Sequence, residues 1–255
     1  MRFQVALVAL IALSASAARA QSSASEHIAL GDREHTAMNP TSALAEYDSA
    51  LVLEPRNYEA LWRAAREAVD LGEYERDKAK QGADFSRGER DARLAVQVNA
   101  GDPEGHFQLA RALGRRALTL GPRDRIKYAT EVRAQALDAL KLDPHHPGAL
   151  HVMGEWNAEV MRLNGMTRWI AKNVLGGDVF GSASWDNAVR YMEQSVAVEP
   201  TRIVHRLDLA KIYADIGEKA KAREQYEIVV RADPTEYNDR FYKAEAQRAL
   251  SEMKD

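Results

Sequence analysis

The chain has 255 residues, with 35 basic and 38 acidic side chains for a net charge of −3, and no cysteine. Its mildly acidic balance argues against general nucleic-acid binding, which draws on clustered Lys and Arg. Without Cys there are no disulfides, no thiolate metal sites and no acylated lipoprotein anchor.

The first residues read as a secretory signal. Arg2 gives a positive start, Val5 to Leu13 (VALVALIAL) is a short apolar run, and Ala18-Arg19-Ala20 offers a small-x-small cleavage site before Gln21. The run is too short to span a bilayer, which takes about 20 residues. Cleavage after Ala20 removes Arg2 and Arg19 and no acid, taking 35 basic residues to 33 against 38 acidic, a net charge of −5. Residues 1–20 are therefore expected to be a leader, residues 21–255 the mature domain, and the mature chain to hold no transmembrane segment. The expected location is the periplasm.

A helix-hairpin repeat begins soon after. Leu30-Gly31, Ala43, Tyr47, Ala50 and Pro55 fall on the positions of a 34-residue tetratricopeptide (TPR) unit, with Asn39-Pro40-Thr41 as its turn and Asn or Thr to cap the second helix. The second repeat shows Leu61, Ala64, Ala65 and Ala68, then the turn Leu71-Gly72. Its second helix is recognisable only from Ala92, Ala95 and Ala100, after about eleven extra residues between Glu75 and Glu89. The third carries Phe107, Ala110 and Gly114, then Ala136, Ala139 and Pro144, with roughly nine extra residues near LGPRDRIKY. Repeat four opens at Leu150 and closes on Trp185, Ala188, Met192 and Pro200, around an insertion of roughly 22 residues. The fifth is the cleanest: Leu209-Ala210, Tyr213, Gly217, Ala222, Tyr226 and Pro234, with Gly217 where the hairpin must reverse. Glu236 to Met253 then reads as a charged C-terminal capping helix. No alternating β-branched run predicts a strand. The expected fold is all-α: a TPR-like solenoid of about five hairpins, insertions in repeats two to four, and a cap.

Four segments give a closer resemblance. LWRAAR from Leu61 to Arg66, LHVMGEW ending at Trp156, RWIAKNVLGG from Arg168 to Gly177 and SWDNAVRYMEQSVAVEP ending at Pro200 occur in that order. Together with the last repeat, they make the stretch from Asn57 to Pro234 resemble the regulators of microtubule dynamics, TPR-like proteins with bacterial relatives. The resemblance implies a non-enzymatic interaction domain. Animal members are linked to microtubules and organelle contacts, with lipid binding attributed to a TPR domain. Here an export signal stands in place of a membrane anchor, so the fold and a binding groove carry over and the tubulin partner does not.

In a TPR stack the first helices line the concave face. The register puts Trp62, Arg63, Arg66, Gln108, Arg115, Arg116, His151, Glu155, Glu159 and Lys211 toward it. Arginine forks suit carboxylate or phosphate, and Trp62 offers a flat apolar anchor, so an acidic peptide or protein partner is expected there. The alternative for Arg115 and Arg116 is a solvated ladder with Glu155 and Glu159 on the next repeat. In the fourth-repeat insertion Leu163, Met166, Trp169, Ile170 and Val174 could form an amphipathic lid over a lipid or another small apolar ligand, or an ordinary packing helix. His145, His146 and His151 with Glu155 make no H-E-x-x-H pattern, and no G-x-S-x-G, P-loop or dinucleotide fingerprint occurs. No catalytic residue, metal site or cofactor is expected.

Overall fold

A computed structural model describes residues 23–163 and 177–253. Among the described residues there are eleven α-helices and no strand. In order they are α1 (Ala24–Thr36), α2 (Pro40–Leu53), α3 (Tyr58–Glu73), α4 (Lys78–Val98), α5 (Pro103–Ala117), α6 (Pro122–Leu142), α7 (Pro147–Arg162), α8 (Trp185–Val198), α9 (Ile203–Asp215), α10 (Lys219–Arg231) and α11 (Asp239–Glu252), with a 3₁₀ turn at Gly177–Ser182 before α8. The helices pair as five consecutive hairpins, and α11 packs on the last. The all-α solenoid read from the repeats is the fold. The expected leader and the lid residues Met166, Trp169, Ile170 and Val174 lie outside the described residues.

Helix starts follow local chemistry. Ser23 and Glu26 form a capping box on α1, and the side chains of Asn57, Asp77, Asp102 and Ser184 accept first-turn N–H groups of α3, α4, α5 and α8. Pro40, Pro103, Pro122 and Pro147 open their helices, where a missing N–H costs nothing. Asn39 departs from expectation. It holds the N-cap position of α2 but makes no cap bond, and its side-chain amide donates to Glu34 instead.

The first two insertions take a form the repeat pattern did not convey. They lengthen the second helices: α4 and α6 have 21 residues each, against 14, 14 and 13 for α2, α8 and α10. The stretch from Lys78 to Gly88 is thus the first half of α4, seated by the buried Phe85 and Gly88, while Ala100 lies beyond its end and is exposed. Leu163 is half-buried just after α7. At the far end of the fourth insertion, Phe180 stacks on Trp156, centroids 5.9 Å apart, inside the core shared by repeats two to four.

Small residues bring the helices together. Ala43, Ala64, Ala92, Ala110, Ala136, Ala158, Ala188, Ala210 and Ala222 are fully buried at hairpin contacts, and Tyr47, Met192 and Ile212 fill the space between them. The apolar core is a string of local clusters passing from one hairpin to the next. The inner face left to α3, α5, α7 and α9 is polar.

Candidate functional site: the inner face of the solenoid

Three linked groups of charged side chains line this face. The first joins α1, α2 and α3. Arg63 Nε donates to Asp32 Oδ1 at 2.8 Å and its guanidinium also meets Glu59. The Tyr47 hydroxyl donates to the same Asp32 oxygen at 2.7 Å. Arg66 pairs with Glu67 at 2.8 Å, and His35 reaches Glu67 at 2.9 Å. Between the two arginines lies the half-buried Trp62 ring, with Arg63 4.2 Å and Arg66 5.4 Å from its centroid. Guanidinium over indole is a favourable cation–π arrangement, and the indole N–H donates to Glu59.

The second group sits at the end of α3. Arg111 of α5 pairs with Asp70, and Arg115, one turn on, reaches Glu73 at 2.6 Å. Although burial alone would raise it, the Asp70 carboxyl is held below its usual range by the Arg111 guanidinium. Two cations and two anions balance here, so this is a closed set of buried pairs.

The third group spans α7 and α9. His151 Nε2 lies 2.8 Å from Asp208, and Lys211 bridges Asp208 at 3.0 Å and Glu245 of α11 at 2.9 Å. Burial would raise Asp208, but Lys211 and the His151 hydrogen bond keep its carboxyl well below the usual range. Its neighbour Glu155 goes the other way, pushed up to about 8 by burial and by the Asp208 charge. Burial and the facing His151 ring, 4.8 Å away, keep the His205 imidazole well below its ordinary pKa. Among the described residues no group of three or more His, Asp or Glu side chains is placed to hold a metal ion.

The structure thus gathers Trp62, Arg63 and Arg66 in one place, and His151, Glu155 and Lys211 in another, with Arg115 between. Gln108 is buried and bonded to Glu104. Arg116 does not join them. Consecutive helical residues point about 100° apart, and Arg116 turns toward α4, where it meets Glu89 at 3.1 Å beside a depression of about 460 Å³ that Arg90 and Arg93 also line. The expected ladder is corrected as well. Arg115 and Arg116 pair backward with Glu73 and Glu89, while Glu155 and Glu159 face Arg162 on their own helix, at 3.6 and 2.7 Å.

Sequence reasoning missed Asp70, Glu73 and Arg111, and missed α11 as a participant. The N-terminal turn of α11 crosses the inner face to the second repeat: Asn238 Nδ2 donates to the Asp70 carbonyl oxygen at 3.0 Å and the Tyr242 hydroxyl to Glu73 at 2.9 Å. Phe241 stacks on Tyr74 with centroids 4.2 Å apart. The available signal was local: Asp70 interrupts, and Glu73 ends, the short apolar run from Ala68 to Gly72 at the end of α3.

Comparison with known proteins agrees with this architecture. The model of the family described as regulator of microtubule dynamics protein 1-3 matches residues 27–254. Regulator of microtubule dynamics protein 3 of Bos taurus is 22% identical over 173 residues, which cover 67% of this chain and 36% of that protein, so the chain spans little more than a third of the relative's length. Among solved structures, a thermophilic TPR protein of Thermus thermophilus superposes with a TM-score of 0.61 at 20% identity, over 88% of this chain and 99% of that one. That likeness is one of fold.

Proposed function

The chain belongs to the regulator of microtubule dynamics protein 1-3 family, and we propose that it is a non-enzymatic TPR scaffold, exported from the cytoplasm, that holds a protein or peptide partner against its inner face. The observation that carries this reading is the Trp62 site. A half-buried indole, flanked by two guanidiniums, stands on a first helix of the stack with its carboxylate neighbours Asp32 and Glu59. Trp and Arg are among the residue types most enriched at interface anchors, and the guanidinium forks can exchange these internal carboxylates for those of a partner. Export rests on residues 1–20, with cleavage after Ala20, and N-terminal sequencing of the native protein should begin at Gln21. Retention of Met1 on a soluble cytoplasmic protein would remove that assignment.

The partner site is tested by affinity capture from the cell-envelope fraction with the wild-type chain, Trp62→Ala and Arg63→Gln. Loss of one specific captured protein in both variants, with melting unchanged, is expected. Truncating an interface anchor should weaken binding by about 2 kcal/mol, roughly thirtyfold. Capture by both folded variants at wild-type levels would show that the partner lies elsewhere.

A further inference from the structure

The inner face already has an occupant. Asp70 lies in the last turn of α3, whose carbonyls have no intrahelical partner. Asn238, 168 residues away in sequence, donates its amide to that carbonyl from the N-cap position of α11. Four residues on, the Tyr242 hydroxyl reaches Glu73, the carboxylate that Arg115 also holds. Asn238 and Tyr242 are almost fully buried. Residues four apart share one face of a helix, so the segment from Asn238 to Tyr242 lies on α3 as a bound helical peptide would. The fit is incomplete. Asn238 Oδ1 and Glu73 Oε2 are buried without a hydrogen-bond partner among the described residues, and such atoms weaken a contact.

We propose that the Asn238–Tyr242 segment is a built-in pseudo-ligand, and that the partner accepted by this face is a helical peptide segment of the same pattern. That segment brings an amide side chain at its first turn, with an aromatic residue and a phenol three and four positions later. It displaces α11 from Asp70, Glu73 and Tyr74. The assignment rests on the scaffold reading above and names the chemistry of its partner. Because the face is closed by its own chain, the affinity measured for any partner is reduced by the fraction of molecules that are open.

The probe is a fluorescein-labelled synthetic peptide of residues 234–250, titrated into the full-length chain as wild type and as Phe241→Ala. Phe241 is half-buried and its loss removes the stack on Tyr74. The Phe241→Ala chain should bind the peptide roughly tenfold more tightly than wild type, the change expected when one aromatic pair holding the closed form is lost. The same peptide carrying Asn238→Ala and Tyr242→Phe should bind at least tenfold more weakly. Asn238→Ala in the full-length chain serves as a second opened variant if Phe241→Ala does not fold.

Equal affinity for wild type and a folded opened variant overturns the proposal, as does binding indifferent to the two peptide changes. Envelope capture that depends on Trp62 but does not change with Phe241→Ala leaves the scaffold standing and removes only the pseudo-ligand. Peptide binding that obeys the pattern while capture ignores Trp62 does the reverse.

Discussion

Replacing Gly88 by alanine would put a methyl group where α3 and α4 touch. The new Cβ would lie 2.7 Å from Val69 Cγ2 and 3.2 Å from the Ala65 carbonyl oxygen, with Ala112 Cβ at 3.7 Å. Val69 has one strongly preferred rotamer in a helix, and a carbonyl inside α3 retreats only if the helix moves. Overpacking of this kind costs about 1–3 kcal/mol, while removing a mid-helix glycine returns up to about 1 kcal/mol. The expected balance is a loss of about 1–2 kcal/mol. Gly82, earlier in the same helix, has nothing within 4 Å of the corresponding position. Gly82→Ala keeps the propensity gain alone and should stabilise by roughly 0.5–1 kcal/mol. At about 2–4 °C per kcal/mol for a chain of this size, circular dichroism at 222 nm should show one variant melting below wild type and the other above. If both melt above wild type, the close approach of the two helices is wrong.

The remaining predictions concern charge and backbone. A carboxyl with a raised pKa binds more protons folded than unfolded, so Glu155 lowers stability as pH rises from its ordinary value of 4.5 to about 8. Glu155→Gln should therefore melt higher than wild type at pH 8, by on the order of 1–2 kcal/mol, and converge with it near pH 4.5; parallel melting profiles across that window would refute the shift. Gly217 turns the last hairpin with φ at +83°, a left-handed conformation that costs other residues about 1–2 kcal/mol, so Gly217→Ala should lower the urea midpoint, and an unchanged midpoint would contradict the turn.

The repeats were legible because their signals are local. Gly217 at the turn, Ala222 against Tyr213 and Tyr226, and Ala43 beside Tyr47 recur at one spacing and need no distant information. The shape of the insertions was not legible. The first half of α4 carries no apolar stripe beyond Phe85 and Gly88. Its outward face is polar, with Lys80 on Glu75 and Arg87 on Asp48 and Asp91, and such a stretch reads as loop. Which carboxylate each inner arginine meets depends on the pitch of the superhelix, which no single repeat encodes. Hence Arg115 found Glu73 rather than Glu155. The reach of α11 to α3 joins residues 168 and 169 positions apart, and periodicity says nothing about it.

That long-range contact differs in kind from those that hold the solenoid up. Stability in a repeat array is close to a sum of hairpins and their neighbouring interfaces, and the buried clusters here obey that order. The α3–α11 contact consists of two hydrogen bonds, the Tyr74–Phe241 stack and the edge contact of Tyr74 with Tyr242. These are worth about 1 kcal/mol for each bond and about 0.5–1.5 kcal/mol for each ring pair, set against Asn238 Oδ1 and Glu73 Oε2, buried without a hydrogen-bond partner among the described residues. The Lys211–Glu245 ion pair and the packing of Tyr242 and Ala246 on the last hairpin also hold α11 closed, so the open form is the minor one. Opening leaves no naked charge on the α3 side, and Lys211 keeps Asp208 when it gives up Glu245. Arg111 stays with Asp70 and Arg115 with Glu73 whether or not α11 is present, so the penalty that normally attends breaking a buried ion pair does not arise. An incoming helix has only to match one carbonyl, one carboxylate oxygen and one tyrosine face, and by supplying a donor for Glu73 Oε2 it would satisfy an atom that α11 leaves without one.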